Sequence, residues 1–246
     1  MRAWVLGTAG WMPTAGRQTT SVLVRDGDRA LLLDAGTGAS WLVYEPELLA
    51  GAGRLDVLLT HFHLDHVCGL LYLPGTGLPV RIHAPGDWLY RTASARLLDP
   101  ILRAPVSPFA EAGAFDVREL DPGAEEVAGW PVALRAQLRH WAPTAGIRVG
   151  DSLALVTDTA FDEGSPGFVA GVRHLLHEAW STSHDPSSTE GDATAAQAGE
   201  VAAAGQVARL TLVHLHPRAD PAALERDARS AFPAAEVGVD GRELTL

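Results

Sequence analysis

Short apolar runs separated by glycine-rich turns dominate the first third of the chain. Residues 3–6, 21–25 and 30–34 are aliphatic and β-branched stretches and predict three strands. The period changes over residues 38–49. There Trp41, Leu42, Glu45 and Leu48 recur three or four apart and predict a helix, with Pro46 blurring its end. Residues 55–60 form a continuous apolar strand that runs straight into His61-Phe62-His63-Leu64-Asp65-His66, and a helix is expected to begin inside that cluster. A strand at 80–83 and a helix at 88–98 follow.

Residues 99–129 are rich in proline, glycine and alanine and read as mostly loop, with one strand at 115–120. Within them, 100–109 is expected either as a lid or as plain surface. Further strands are predicted at 132–139, 146–150, 152–157, 173–177 and 210–213, and a strand or hairpin at 236–246. Residues 181–191 read as a polar loop. Helices are predicted at 194–204 and at 221–231, the latter with proline in its first turn. Strands gather in groups before each helix. The whole chain, 1–246, is therefore expected to be one α/β domain without strict βαβ alternation.

Composition narrows the chemistry. All 19 basic residues are arginine, and the sequence contains neither lysine nor asparagine. Without lysine there is no Schiff-base catalysis, no pyridoxal-phosphate anchor, no phosphate-loop lysine and no Ser-x-x-Lys β-lactamase centre. A net charge of −11 argues against a generally basic nucleic-acid surface. The single cysteine, Cys68, cannot form an intramolecular disulfide and suits a reducing compartment. No apolar run approaches the ~20 residues of a membrane span. The first residues read as a strand rather than a signal peptide, and a cytoplasmic location with no membrane partner is expected.

Ten histidines then carry the argument. In an extended segment, residues two apart point the same way, so His61 and His63 can converge on one metal ion. Asp65 and His66 lie past the bend and can address a second. Imidazole nitrogen and carboxylate oxygen suit zinc, iron or manganese. Crowding four such groups without a metal would cost several kcal/mol. More ligands stand where apolar strands end: His140 after 132–139, Asp158 after 152–157, and His214 after 210–213.

The order His-x-His-x-Asp-His, a distant His, an Asp in Thr157-Asp158-Thr159, and a last His resembles the metallo-β-lactamase fold superfamily. The likeness extends over nearly the whole chain. Leu6-Gly7-Thr8 with Pro13, Thr14 and Arg17, the Leu31-to-Gly36 strand and turn, His177-Glu178-Ala179, and His214-Leu215-His216-Pro217 look like its ribonuclease Z and phosphodiesterase branch.

The resemblance implies a four-layer αβ/βα sandwich holding two divalent metal ions, most simply Zn2+, with Mn2+ or Fe as alternatives. One ion would take His61, His63 and His140, the other Asp65, His66 and His214, with Asp158 bridging and His216 the rival for the last place. A bridging hydroxide would attack phosphorus or a carbonyl carbon. Asp65 would serve as ligand or would also orient the nucleophile.

One position departs from that branch. Its enzymes carry a histidine in a His-Ser-Thr turn, near the transferring phosphate with the Glu that matches Glu178. Here Asp192 stands in its place, in Gly191-Asp192-Ala193-Thr194. A carboxylate is a poor proton donor at neutral pH and repels phosphate. The acid role then moves to His184 or His177, and Asp192 becomes a substrate contact or a cap for the helix near Thr194. Arg17 is a second candidate substrate contact. Trp141 and Trp180 adjoin site residues and could line a pocket, whereas Cys68, His83 and His174 read as structural.

The tRNA-processing members carry a long arm, and no Gly- and Lys-rich insertion here could supply it. The expected function is thus hydrolysis of a small phosphodiester. Lactone, thioester or other ester hydrolysis is the alternative, followed by tRNA 3′ processing and iron-dependent oxidoreduction. The expected partner is a small-molecule substrate rather than nucleic acid, and relatives imply a homodimer.

Overall fold

The computed structural model describes residues 1–107, 115–185 and 191–246. Strands β1 (Arg2–Gly7), β2 (Ser21–Asp26), β3 (Arg29–Leu33), β4 (Leu55–Leu58), β5 (Val80–Ala84) and β6 (Phe115–Glu119) follow one another across the first sheet, antiparallel up to β3 and parallel from β3 to β6. The second sheet is built from β7 (Glu126–Val127), β8 (Trp130–Gln137), β9 (Thr144–Val149), β10 (Leu153–Val156), β11 (His174–Glu178), β12 (Arg209–Val213) and β13 (Ala235–Val237). It is antiparallel up to β10 and parallel from β10 to β13. The chain ends with β14 (Arg242–Leu244), which returns to pair with β1.

Side-chain alternation explains the layering. Ala3, Val5, Val22, Val24, Leu31 and Leu33 meet Val132, Ile147, Leu153, Leu155 and Val213 between the two sheets. The intervening residues Trp4, Leu6, Leu23 and Leu32 face outward onto Leu42, Leu70, Leu73 and Leu98. On the other side, Val156, Leu175, Leu210 and Leu212 pack against Ala198, Val201, Leu224 and Ala228. Strands buried on both faces read as unbroken apolar runs, which is why the sequence showed runs rather than alternation. The result is the expected four-layer αβ/βα sandwich.

The helices differ from expectation where proline and glycine intervene. Residues 38–49 form no single helix. Short α1 (Trp41–Tyr44) lies between 3₁₀ turns Thr37–Ser40 and Pro46–Leu49, because Pro46 cannot continue the α-helical bonding. The expected helix at 88–98 is replaced by a π-helical turn, Gly86–Tyr90, and by α3 (Ser94–Leu102); α2 (Leu64–Val67) precedes both and begins inside the histidine cluster as expected. The proposed lid segment is thus partly α3; its residues 108 and 109 lie outside the described residues, as do 186–190 of the polar loop.

Against the second sheet lie α4 (Ser165–Phe168), α5 (Ala195–Ala204) and α6 (Pro221–Arg229). Thr194 caps α5, accepting from Gln197 N while the Gln197 side chain accepts from Thr194 N. Asp192 is therefore not the cap. No helix among the described residues is long and apolar enough to cross a membrane.

Two consequences of the packing can be measured. Gly69 N donates to Ala35 O at 2.8 Å, and a Cβ there would lie 2.0 Å from Gly36 O. Only glycine lets the segment after α2 approach the Asp34–Gly36 turn this closely. Gly69→Ala should destabilise the protein by on the order of 3 kcal/mol, read as a lower urea midpoint.

The second is a pH effect. His177 is buried, its Nδ1–H donates to the Glu178 carbonyl at 2.9 Å, and burial pushes its pKa down to about 4. The unfolded chain protonates near pH 6.5. This stabilising contribution is complete above about pH 6.5 and is lost as pH falls toward 4. In His177→Leu, the stability lost between pH 7 and pH 4 should be smaller by about 3 kcal/mol, measured by urea unfolding at each pH.

Candidate metal centre

Strand ends of both sheets meet along one edge, and the chemistry-bearing residues stand there. Antiparallel β9 separates β8 from β10, so those two run the same way. Their ends lead to His140 and Asp158, while β4 leads to His61 and β12 to His214. Three residues at such ends have positive φ without being glycine: Asp34 (55°), Asp158 (54°) and His214 (48°). Backbone held this way costs about 1–3 kcal/mol and persists where surrounding structure enforces it. Gly10 leaves room for the His214 ring, since a Cβ there would come within 2.8 Å of three of its atoms.

Asp158 is the hub. Its Oδ1 lies 3.6 Å from His61 Nε2, 3.5 Å from His140 Nε2 and 3.4 Å from His214 Nε2, and its Oδ2 is 3.2 Å from His66 Nε2. Asp65 Oδ2 lies 3.4 Å from His66 Nε2 and 3.3 Å from His214 Nε2. Three groups of donor atoms fall within 4.8 Å of one another: His63 with His140 and Asp158; Asp65 with His66 and His214; and His61 with His66 and Asp158. His63 thus falls with His140 and Asp65 with His66 and His214, while the His61 donor groups with His66 rather than with His63 and His140. His216, the rival ligand, instead packs edge-on against Trp180 at 4.7 Å.

A second ring of contacts turns the imidazoles inward. His66 Nδ1–H donates to Asp34 Oδ2 at 2.8 Å, and Asp34 also accepts from Thr60 N and Thr60 Oγ1. With that hydroxyl given to Asp34, His61 Nδ1–H donates to Thr60 Oγ1 at 2.9 Å. His140 Nδ1–H donates to Gly191 O at 2.8 Å, and Asp192 lies 3.3 Å from the same nitrogen. Each of these rings presents Nε2 to the centre, the arrangement that fixes tautomer and basicity in metal sites. His61 Nε2 and His66 Nε2 are buried without a hydrogen-bond partner, as donors awaiting a cation would be. The residues therefore fit a divalent metal.

The electrostatics agree. Burial holds the His61 imidazole well below its ordinary pKa, and it lowers His63 as well. Burial also opposes protonation of His66 and His214, but the surrounding carboxylates, Asp158 first, outweigh it and push His214 up to about 10. Burial would raise Asp65, yet His66 and His214 keep its carboxyl far below the usual range. The carboxylates that favour protons on His66 and His214 offer the same attraction to a divalent cation.

Other expected site residues fall elsewhere. Glu178 is buried, not at the pocket wall: Oε1 accepts from Thr159 N at 2.6 Å, and Oε2 faces His214 Nδ1 at 3.6 Å. Burial pushes its pKa up to about 7. Its free oxygen is turned toward His214 and not toward the pocket. Arg17 lies away from the centre because its guanidinium donates to Thr8 Oγ1 and Gly238 O, at 2.6 and 2.7 Å. His184 is exposed and does not line the pocket, and His177 is enclosed in β11. Asp192 does line the pocket, beside His140. Sequence reasoning missed Asp34 as a supporting carboxylate. Its signal was an acidic residue ending an apolar strand, as at Asp158.

The pocket over the centre has a volume of about 410 Å³ and is walled by Trp11, Leu64, Trp141 and Trp180. Layered sheets with helices outside and a His/Asp centre at one edge define a metal-dependent hydrolase architecture. A sequence profile of the metallo-beta-lactamase superfamily matches residues 14–135. The chain is 29% identical to the ribonuclease Z of Bradyrhizobium sp., covering 98% of each. It superposes on the metallo-beta-lactamase fold protein YhfI from Bacillus subtilis with a TM-score of 0.81, at 19% identity and 99% of each chain. A diphosphatase of the PhnP family gives a TM-score of 0.75 at 19% identity, covering 100% of this chain and 97% of that one. The chain has the metallo-beta-lactamase fold, matches that superfamily over residues 14–135, and resembles its ribonuclease Z and phosphodiesterase branch.

Proposed function

We propose that the protein hydrolyses small phosphodiesters at a two-metal centre. The observation that carries this reading is the convergence of six donor residues, His61, His63, Asp65, His66, His140 and His214, around Asp158. His61, His63 and His140 would hold one cation and Asp65, His66 and His214 the other, both sharing Asp158. Zinc is the first candidate, with manganese and iron as alternatives. Two such cations supply a hydroxide nucleophile at neutral pH and neutralise charge on the substrate's oxygens.

The chain's own groups do the positioning. Asp34, through His66 and through Thr60 to His61, keeps Nε2 of each ring aimed at the centre. Gly191 O and Asp192 do this for His140, and Glu178 does it for His214. The Trp11 backbone N–H donates to Asp65 Oδ2 at 2.7 Å, which holds that carboxylate toward the pocket.

Small substrates are favoured on two grounds. The alignment with the Bradyrhizobium ribonuclease Z spans 303 positions although this chain has 246 residues, so the relative carries insertions that are missing here. The net charge of −11 also repels a long polyanion. RNA 3′ processing is the second reading, because ribonuclease Z relatives match end to end.

A substrate panel on the zinc-loaded protein tests the choice. Turnover of bis-p-nitrophenyl phosphate with little cleavage of a precursor tRNA is expected. Cleavage of p-nitrophenyl acetate or lactones without any diester turnover would overturn it.

A further inference from the structure

We propose that the mouth of the metal centre is a stacking subsite in which Trp11 and Trp141 hold a flat, uncharged aromatic group of a singly charged ester. The inference rests on the hydrolase reading and adds the class of substrate. Trp11 is 63% exposed and Trp141 73%, and Leu64 between them is 66% exposed. Aromatic surface this large gains nothing for stability while it stays in water. All three nevertheless line the same pocket as His63, Asp65 and His140.

The two indoles are built into the site. Trp11 has φ +63°, a left-handed backbone that few bulky residues adopt, and its N–H is bonded to Asp65 Oδ2. The backbone that carries the indole is therefore tied to a candidate metal ligand. Trp141 packs at 6.5 Å and 68° against His140, and a Cβ on Gly191 would lie 3.2 Å from its Nε1. A larger residue at 191 would press on the indole, which glycine leaves in place. Trp180 is stacked on His214 at 5.7 Å and 26°, which leaves the two outer rings to meet a ligand.

Charge limits what that ligand can carry. No arginine lines the pocket among the described residues, the sequence has no lysine, and Asp192 adds a carboxylate to the wall. A second phosphate beyond the metals would find no cation. A neutral ring would find two indoles, and base-on-aromatic stacking changes affinity by about tenfold per contact. The substrate class is then a monoanionic diester with at least one planar aromatic substituent, such as an aryl or nucleoside group.

Binding of two unreactive probes to the zinc-loaded full chain tests this, followed by tryptophan fluorescence and calorimetry. Diphenylphosphinate, whose P–C bonds resist hydrolysis, should bind at least about tenfold tighter than diethylphosphinate, which carries the same charge without rings. Trp11→Ala and Trp141→Ala should each cut that preference about threefold or more, and Trp11→Phe and Trp141→Phe should keep most of it. Equal binding of the two anions, or a preference unchanged in both alanine variants, overturns the subsite. If bis-p-nitrophenyl phosphate is still hydrolysed in that case, the proposed activity stands and the subsite alone fails. If the diphenyl preference is present but no diester is cleaved, the subsite stands and the phosphodiesterase reading fails.

Discussion

Asp158→Ala should yield a protein that purifies without its metals and loses hydrolysis by on the order of 1,000-fold or more. One carboxylate stands within 3.2–3.6 Å of the Nε2 atoms of His61, His66, His140 and His214. Its removal leaves those imidazoles facing each other with Asp65 as the carboxylate still directed at Nε2 of His66 and His214. Burial opposes its charge, but those imidazoles, His214 first, keep the Asp158 carboxyl far below the ordinary range, so it is fully ionised at any working pH. Thr157 Oγ1, at 2.7 Å, also loses its acceptor.

Backbone strain complicates the alanine variant, because residue 158 has φ +54°. Asp158→Asn separates the two effects. Asparagine tolerates the left-handed region and keeps the shape but not the charge. It should fold with a urea midpoint near that of the parent, yet retain less metal after dialysis. Metal content measured by atomic emission decides the matter: unchanged content in both variants would remove Asp158 from the centre.

The second large effect lies one shell out. Asp34→Ala should lower stability by roughly 3 kcal/mol or more, and weaken zinc binding about 10–100-fold. Asp34 is fully buried and accepts from Thr60 N, Thr60 Oγ1 and His66 Nδ1. Alanine leaves all three donors buried without an acceptor. His66 is then free to rotate, and His61 loses the Thr60 hydroxyl orientation that fixed its tautomer. Asp34→Asn should fall between, since its amide oxygen can still accept from Thr60 while its NH2 opposes a donor. Urea unfolding of chelator-treated protein and a zinc competition titration give the two numbers. A variant with normal stability and normal affinity would show that the contact is idle.

How far the sequence could be read depends on the range of the interaction. The cluster from His61 to His66 was legible because its donors are neighbours along the chain and a strand-to-helix bend presents them together. His140, Asp158 and His214 were legible because each follows an apolar run, and strands of a buried sheet deliver their ends to one edge. Asp34 met the same description and was passed over as part of a turn, since its partners, Thr60 and His66, are 26 and 32 residues away. Arg17 and His184 failed for the converse reason. Residue type suggested a substrate contact at Arg17 and an acid at His184, but Thr8 and Gly238 engage the Arg17 guanidinium, and His184 is exposed away from the pocket.

By itself the amino-acid order determined an α/β domain, the places where strands end, and a set of side chains able to bind a metal. Those properties follow from the hydrophobic period and from donor chemistry, both local to the chain. Tertiary structure alone decided that β14 returns to pair with β1, that His61 groups with His66, and that Glu178 faces His214 rather than the pocket. It also decided that Trp11 and Trp141 share one mouth. Each of these depends on contacts between segments far apart in the chain. Such contacts are selected by the packing of two sheets against each other, which no periodicity within a single segment encodes.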